Sequence, residues 1–376
     1  MRTLSLFAFV IGIELYAYQA LATIFPGSSI LPIIYFSITA ILIAAVLLFV
    51  NAGLKKRVNL PRGVLTGTFF MLFIPKLFTA ILLLGEDIVR LGKTLAMGIV
   101  HVAGNESFYL GTERSLVWSI ISVSIAGLLS LSFVYGALFN VYNYKVRKVN
   151  VKLMKLPKAF DGLKVVQISD IHSGSLTDKA AVQKAVEKIN SLHPDVIFFT
   201  GDLVNNLATE AVSFVDVFKH LQAPHGVYSV LGNHDYGDYA AWPSEESKQN
   251  NLNMLKKIHG EMGWRLLLNE HVKIEKDGEK IVVAGVENWS ASGRFHSYGK
   301  LDAALHGIQD AITVLLLSHD PSHWEAEILK HPAHVDLTFS GHTHGMQFGF
   351  ELFNIKWSPV KYIYKQIHKF CSFSSL

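Results

Sequence analysis

Long apolar runs fill one part of the chain and short ones the other. Over residues 1–144 the hydrophobic stretches are long and carry few charges, whereas over residues 145–376 they are short and each breaks into polar residues. A bilayer-crossing helix needs about 20 apolar residues. Four runs meet that length, at about 4–25, 30–51, 63–84 and 115–140. Only Pro26, Gly27, Ser28 and Ser29 separate the first two, which predicts a tight helical hairpin. The first run is too long for a signal-peptide core, and no small-residue cleavage site leads into a polar mature start.

The second part alternates strand and helix patterns. Residues 163–174 (LKVVQISDIHSG), 194–206 (PDVIFFTGDLVNN) and 226–236 (GVYSVLGNHDY) are apolar runs with polar ends. Between them, residues 177–193 have helical periodicity after a Thr cap, and residues 209–222 read as a second helix. Residues 265–288 read as two strands joined at Asp277-Gly278, a hairpin signal. Residues 312–320 (ITVLLLSHD) and 335–345 (VDLTFSGHTHG) complete the set. Short apolar strands alternating with helices predict an α/β fold with a largely parallel sheet covered by helices.

Composition supports the division. Charged residues make up 17% of the 376-residue chain, against about 25% for an average soluble domain. The expected organisation is a transmembrane region over 1–144, a basic juxtamembrane linker over 145–160 and a globular domain over 161–376. Basic residues orient it. Arg2 precedes the first run, Lys55, Lys56, Arg57 and Arg62 separate the second and third, and Lys145, Arg147, Lys148, Lys152, Lys155 and Lys158 come after the fourth. The segment between runs three and four balances Arg90, Lys93 and Arg114 with Glu86, Asp87, Glu106 and Glu113. This alternation predicts both termini, and the globular domain, on the cytoplasmic side. Glu14 and Lys76 lie within predicted spans at similar depth, where an ion pair would offset the cost of isolated charge. Cys371 is the single cysteine, so neither an intramolecular disulfide nor a Cys-based metal site is available.

The polar residues at the ends of the short apolar runs carry the chemistry: Asp170 and His172; Gly201 and Asp202; Gly232, Asn233, His234 and Asp235; His319; Gly341, His342, Thr343 and His344. Open α/β sheets bind ligands beyond the carboxyl ends of their strands. A lone aspartate at a strand end is usually a helix cap, and a lone histidine is usually a surface or core residue. Five strand ends delivering Asp, Asn and His to one edge instead predict a metal site, and the ligands are too many for one ion. Oxygen and imidazole donors without thiolate suit Mn, Fe, Co, Ni or Zn. His259, His271, His323, His331 and His334 fit no such position and read as surface residues.

The order DxH, GD, GNHD, H, GHxH over residues 161 to about 350 resembles the calcineurin-like metallophosphoesterases. The wording of the blocks is most similar to the membrane-associated bacterial phosphodiesterases, a group that includes enzymes like UDP-2,3-diacylglucosamine pyrophosphatase. The resemblance implies a four-layer αββα sandwich, here preceded by four transmembrane helices. It implies two divalent ions, manganese first among them: Asp170, His172 and His344 on one, Asn233, His319 and His342 on the other, and Asp202 bridging. It gives His234 the role of protonating the leaving oxygen, with Asp235 orienting it. The implied reaction is hydrolysis of a phosphodiester or pyrophosphate by metal-activated hydroxide. The chain departs from the usual pattern at Asn205, where many members carry an acid, and at Met346, where GHTHGGQ is common.

The implied setting is the bacterial cytoplasmic membrane, with the lipid bilayer as partner and a phosphoester, lipid-linked or not, as substrate. The competing class is an inactive membrane module that keeps the fold for binding or scaffolding; the complete ligand set argues against it. No basic, aromatic-interleaved patch marks nucleic acid as a partner. Residues 357–366 keep a pattern like that of similar enzymes, but 367–376 (IHKFCSFSSL) show no strand alternation or turn signal, so a truncated C-terminus lacking edge strands is expected.

Overall fold

The computed structural model describes residues 2–50, 62–104, 107, 109–136, 141–293, 295–308, 312–343, 350–352 and 355–357. The chain forms two units, Met1–Tyr144 and Lys145–Leu376.

The first unit contains helices α1 (Arg2–Ile24), α2 (Ile30–Val50), α3 (Arg62–Val102) and α4 (Leu116–Tyr135). Small residues lie buried where helices meet, among them Ala17, Ala20, Ala80, Ser119 and Ser122. Large apolar side chains such as Ile33, Ile41, Ile81, Ile99, Leu128 and Leu131 face outward. This inverts a water-soluble bundle and matches helices that pack closely in lipid. Among the described residues, two helices are long and apolar enough to cross a bilayer, over Gly67–Val102 and Leu116–Tyr135; the described apolar stretches Ala8–Ile24 and Ile30–Ile41 are shorter. The third helix runs past the span expected over about 63–84. It does not stop near residue 84 but continues through Glu86, Asp87 and Arg90 as one 41-residue helix, roughly 60 Å long at 1.5 Å per residue.

Glu14 and Lys76 do meet inside this unit. Lys76 Nζ lies 2.8 Å from Glu14 Oε2 and donates to Thr39 Oγ1 at 2.9 Å. Thr39 donates to Glu14 Oε2 at 2.9 Å, and the Tyr35 hydroxyl reaches the Glu14 carbonyl at 3.2 Å. A second network joins Arg114 to Glu86 and Asp87, both at 2.9 Å, and Arg90 to Asp87 at 2.7 Å.

The second unit is built on two four-stranded sheets. One has the order β1 (Val165–Ile168), β2 (Val196–Phe199), β3 (Val227–Ser229), β4 (Trp264–Leu266), all parallel. The other has the order β5 (Glu270–Lys276), β6 (Glu279–Val286), β7 (Thr313–Ser318), β8 (Leu337–Phe339). Its first pair is an antiparallel hairpin and the rest is parallel. Asp277 and Gly278 both have positive φ at the hairpin, 50° and 80°, as a tight two-residue turn requires. Strands β9 (Phe350–Leu352) and β10 (Ile355–Trp357) pair antiparallel.

Side-chain parity explains the layering. Successive strand residues point to opposite faces. On β2, β6 and β7 one parity (Val196, Phe198, Ile281, Val283, Leu315, Leu317) enters a single core shared by the two sheets. On β6 and β7 the other parity (Val282, Ala284, Val286, Val314, Leu316) packs with residues of α9 (Leu301–Leu305) and α10 (Ser322–Ala326). Outside the first sheet lie α5 (Lys179–Asn190) and α8 (Glu245–Glu261), which bury Val182, Val186, Leu255 and Ile258.

Three local expectations change. Asp178, not Thr177, caps α5, its carboxylate accepting the Ala181 N–H at 2.9 Å. The helix expected over 209–222 is two single turns, α6 (Thr209–Val212) and α7 (Val215–Phe218). His259 and His323 are fully buried, not surface residues. Residues 358–376, on which the truncation expectation falls, lie outside the described residues.

Candidate metal centre

Parallel strands deliver their carboxyl ends to one edge, so Asp170, Asp202 and Asn233 closely succeed β1, β2 and β3, and His319 and His342 succeed β7 and β8. Backbone bonds strap these turns together. Asp170 N–H donates to the Gly201 carbonyl at 2.9 Å, His172 N–H to Asp202 at 3.1 Å, and Gly341 N–H to His319 at 2.9 Å. The His342 N–H donates to the Asp170 carboxylate at 3.0 Å. Glycine at 341 is what permits this approach, because a Cβ there would land on the Ser169 hydroxyl and the Asp170 carboxylate. Four of the gathered residues adopt left-handed backbone: Asp170 (φ 53°), His172 (46°), Asp202 (62°) and His342 (67°). Such conformations are costly for non-glycine residues and collect at functional sites.

Asp202 is the centre of the arrangement. It belongs to two groups of metal-capable atoms, His172–Asp202–His234 and Asp202–His319–His342, each with all its ligand atoms within 4.8 Å of one another. Its Oδ2 is buried, receives no well-aligned hydrogen bond, and faces His319 Nε2 at 3.2 Å and His172 Nε2 at 3.6 Å. Atoms that share an ion at about 2.0–2.2 Å stand at such separations. The other nitrogen of His319 is occupied, 2.7 Å from the Thr200 carbonyl, which fixes the tautomer that leaves Nε2 for the site. Asn233 Oδ1 stands 3.1 Å from His319 Nε2 and 2.8 Å from His342 Nδ1. An orphaned carboxylate oxygen amid imidazole nitrogens and an amide oxygen fits one or more borderline divalent cations.

The electrostatics point the same way. Burial alone would raise the Asp202 carboxyl, but the imidazoles of His319, His234 and His172 together hold it well below the usual carboxylate range. Burial would lower His319, and the Asp202 carboxylate outweighs it, raising the group to about 10. Burial, and then the charge on His319, lowers His342 to about 4. The pocket demands positive charge beside Asp202, which a proton on His319 or a divalent cation satisfies.

Among the described contacts the Asp235 carboxylate does not bond the His234 ring. This buried carboxylate accepts the backbone N–H groups of Asp202 (2.9 Å), Leu203 (2.8 Å), Val204 (3.2 Å) and Gly232 (2.9 Å). It thus clamps the turns after β2 and β3, and burial together with repulsion from Asp202 raises it to about 7. The contact that orients His234 comes from the Asn205 carbonyl, 2.7 Å from Nδ1. The sequence could not show it, because a main-chain oxygen has no side-chain signature. Of the expected ligands, Asp202, His172, His319, His342 and Asn233 converge on one place. Asp170 stands beside them through His342, and His344 lies outside the described residues.

Comparison with known proteins agrees with this geometry. Residues 163–346 match the family described as "Calcineurin-like phosphoesterase", and residues 1–141 match "Probable Calcineurin-like phosphoesterase, transmembrane domain". A "Transmembrane protein with metallophosphoesterase domain" of Danio rerio is 29% identical over 265 residues, covering 69% of this chain and 55% of that protein. An "Uncharacterized metallophosphoesterase" of Helicobacter pylori is 32% identical over 209 residues, covering 55% of this chain and 51% of that protein. The chain spans about half the length of each of these two. An "Uncharacterized metallophosphoesterase" of Aquifex aeolicus is 30% identical over 207 residues, covering 54% of this chain and 71% of its own. With two candidate cation positions sharing Asp202 and these relatives in view, the chain belongs to the calcineurin-like metallophosphoesterases, with a transmembrane phosphoesterase domain at its N-terminus.

Proposed function

We propose that the chain is a membrane-anchored, dinuclear metal-dependent phosphoesterase acting on a phosphodiester or a pyrophosphate. The observation that carries this reading is the membership of Asp202 in both groups of ligand atoms. Asp170, His172 and His344 would hold one ion, Asn233, His319 and His342 the other, and Asp202 both. Two such ions would neutralise phosphate oxygens and lower the pKa of a trapped water, and manganese is the first of the metals that the resemblance implies. The protein's own residues do the rest. His234, held through Nδ1 by the Asn205 carbonyl, turns its other nitrogen toward the site and delivers a proton to the leaving oxygen. Asp235 sets the mutual position of the turns that carry Asp202 and Asn233.

The same reading has all four helices cross the membrane, with the second unit on the cytoplasmic face, because the basic clusters alternate along the chain. Closeness to the bilayer favours a lipid-linked or nucleotide-lipid phosphoester. Full-length protein in detergent, loaded with Mn²⁺, tests the chemistry against aryl phosphodiesters, pyrophosphates and lipid phosphodiesters. Two ions per chain and Mn²⁺-dependent turnover of at least one class are expected; bound metal with no turnover of any would leave a binding module. A topology reporter at residue 160 should score cytoplasmic and one at Asn105 external, and the reverse would move the site to the outer face.

A further inference from the structure

The turn after His234 is pinned on both sides of one residue. Tyr236 is buried, its ring stacks on Tyr298 at 3.8 Å, and its hydroxyl donates to Glu287 at 3.0 Å. Asp238 accepts from the Tyr298 hydroxyl at 3.1 Å and is paired with Lys248. The Trp242 indole N–H donates to the Gly237 carbonyl at 2.7 Å, and its ring fills the space where a side chain at 237 would go. Between these anchors Tyr239 is held against two residues of the centre. Its hydroxyl accepts from Asn233 Nδ2 at 2.9 Å, and its ring lies 4.7 Å from the His234 imidazole.

An asparagine can ligate a cation only through its amide oxygen; the NH₂ end offers hydrogens and no acceptor. Asn233 Oδ1 faces His319 and His342, and a fixed acceptor for the nitrogen end holds the amide in that orientation against a flip. The Tyr239 oxygen is that acceptor, and the anchors around residue 239 keep it in place. The same ring forms one wall beside His234, limiting how far the imidazole can swing. Tyr239 is 41% exposed, so it is a rim residue whose loss need not disturb the core.

Resting on the reading of the site given above, we infer that Tyr239 is a positioning residue: its hydroxyl holds Asn233 as a metal ligand, and its ring holds His234 for proton delivery. Partners that orient metal ligands typically contribute 10–100-fold in metal affinity. Tyr239→Phe keeps the ring and removes the oxygen. It should weaken one of two Mn²⁺ sites by roughly tenfold, read by equilibrium dialysis and by the EPR signal of free Mn²⁺. The melting temperature of the metal-free protein should not change, and saturating Mn²⁺ should restore turnover. Tyr239→Leu should weaken the metal equally and, even at saturating Mn²⁺, slow poor leaving groups more than activated aryl esters. Wild-type Mn²⁺ affinity in Tyr239→Phe overturns the role of the hydroxyl. Tyr239→Leu behaving as Tyr239→Phe at saturating metal overturns that of the ring. A lowered melting temperature of metal-free Tyr239→Phe, with no separate loss of affinity, marks a packing role and overturns both. Because metal binding is read without turnover, a wild-type chain that binds Mn²⁺ but hydrolyses nothing refutes the proposed function, while the Tyr239→Phe affinity still decides the hydroxyl's part.

Discussion

Both units of the chain bury charge, and they treat it in opposite ways. In the helical unit Glu14 is matched by Lys76, Glu86 by Arg114, and Asp87 by Arg90 and Arg114. Thr39 and Tyr35 add hydrogen bonds to Glu14, so the network is closed. In the second unit Asp202 is equally enclosed but keeps an oxygen without an aligned donor, facing two imidazoles. A closed network asks for nothing more from its surroundings. An open one, held open by strained backbone and four N–H bonds to Asp235, is organised for something that must arrive. Burial of charge alone therefore does not mark a site; a buried carboxylate oxygen that faces imidazoles without an aligned donor is the better sign.

The largest test of that contrast is Asp202→Asn. It removes the shared negative charge and should drop bound metal below one ion per chain, with activity lower by several orders of magnitude, read by metal analysis and turnover. Near-normal values of both would end the bridging assignment. Next, His234→Ala should keep both metals yet lose about 10²–10³-fold on substrates with poor leaving groups, and much less on activated aryl esters. Because His234 also stands in one group with His172 and Asp202, loss of one ion in this variant would instead make it a ligand.

On the closed side, Lys76→Met strands the Glu14 carboxylate and should cost about 3–5 kcal/mol, whereas Glu14→Leu with Lys76→Met together should come back close to wild type. Denaturation in mixed micelles measures both. A double variant as unstable as the single would mean the pair does more than satisfy itself. A last test concerns the slope of stability with pH at His259, which burial lowers to about 3 from an ordinary 6.5. The fold keeps it neutral while the unfolded chain takes up a proton below 6.5. Its contribution is thus complete above pH 6.5 and lost as pH falls toward 3, by up to about 1.4 kcal/mol per pH unit. His259→Leu should flatten the acid limb of the stability curve by that slope, whatever it does to the level.

The strand-end motifs were legible because each short apolar run stops where the polar chemistry starts, and parallel pairing brings those ends to one edge. The place of the Asp235 side chain differs from the expected one for a physical reason. Next to His234 in sequence, the residue looks like a neighbour of the ring, but its side chain turns inward beneath the turns and meets only main-chain donors. The burial of His259 did have a signal. Leu255, Ile258, His259 and Met262 recur at helical spacing and are all buried, so the histidine shares the apolar stripe of α8 and continues it into the cap. The length of α3 had none, since Glu86, Asp87 and Arg90 break the apolar run without breaking helical geometry. The partner of the two acids, Arg114, is far along the chain.

The left-handed backbone at Asp170, His172, Asp202 and His342 sets stability and chemistry against each other. An ordinary side chain there costs roughly 1–2 kcal/mol that glycine does not. At positions 172 and 202, a glycine variant should therefore be more stable than the alanine variant by about 1 kcal/mol, although both lack the ligand. The gap between the two measures what the backbone contributes apart from the side chain, in a quantity that needs no substrate. Glycine at these turns would add stability and remove the donor side chains, so the stability of the turns and the supply of donors make opposite demands on the same four positions.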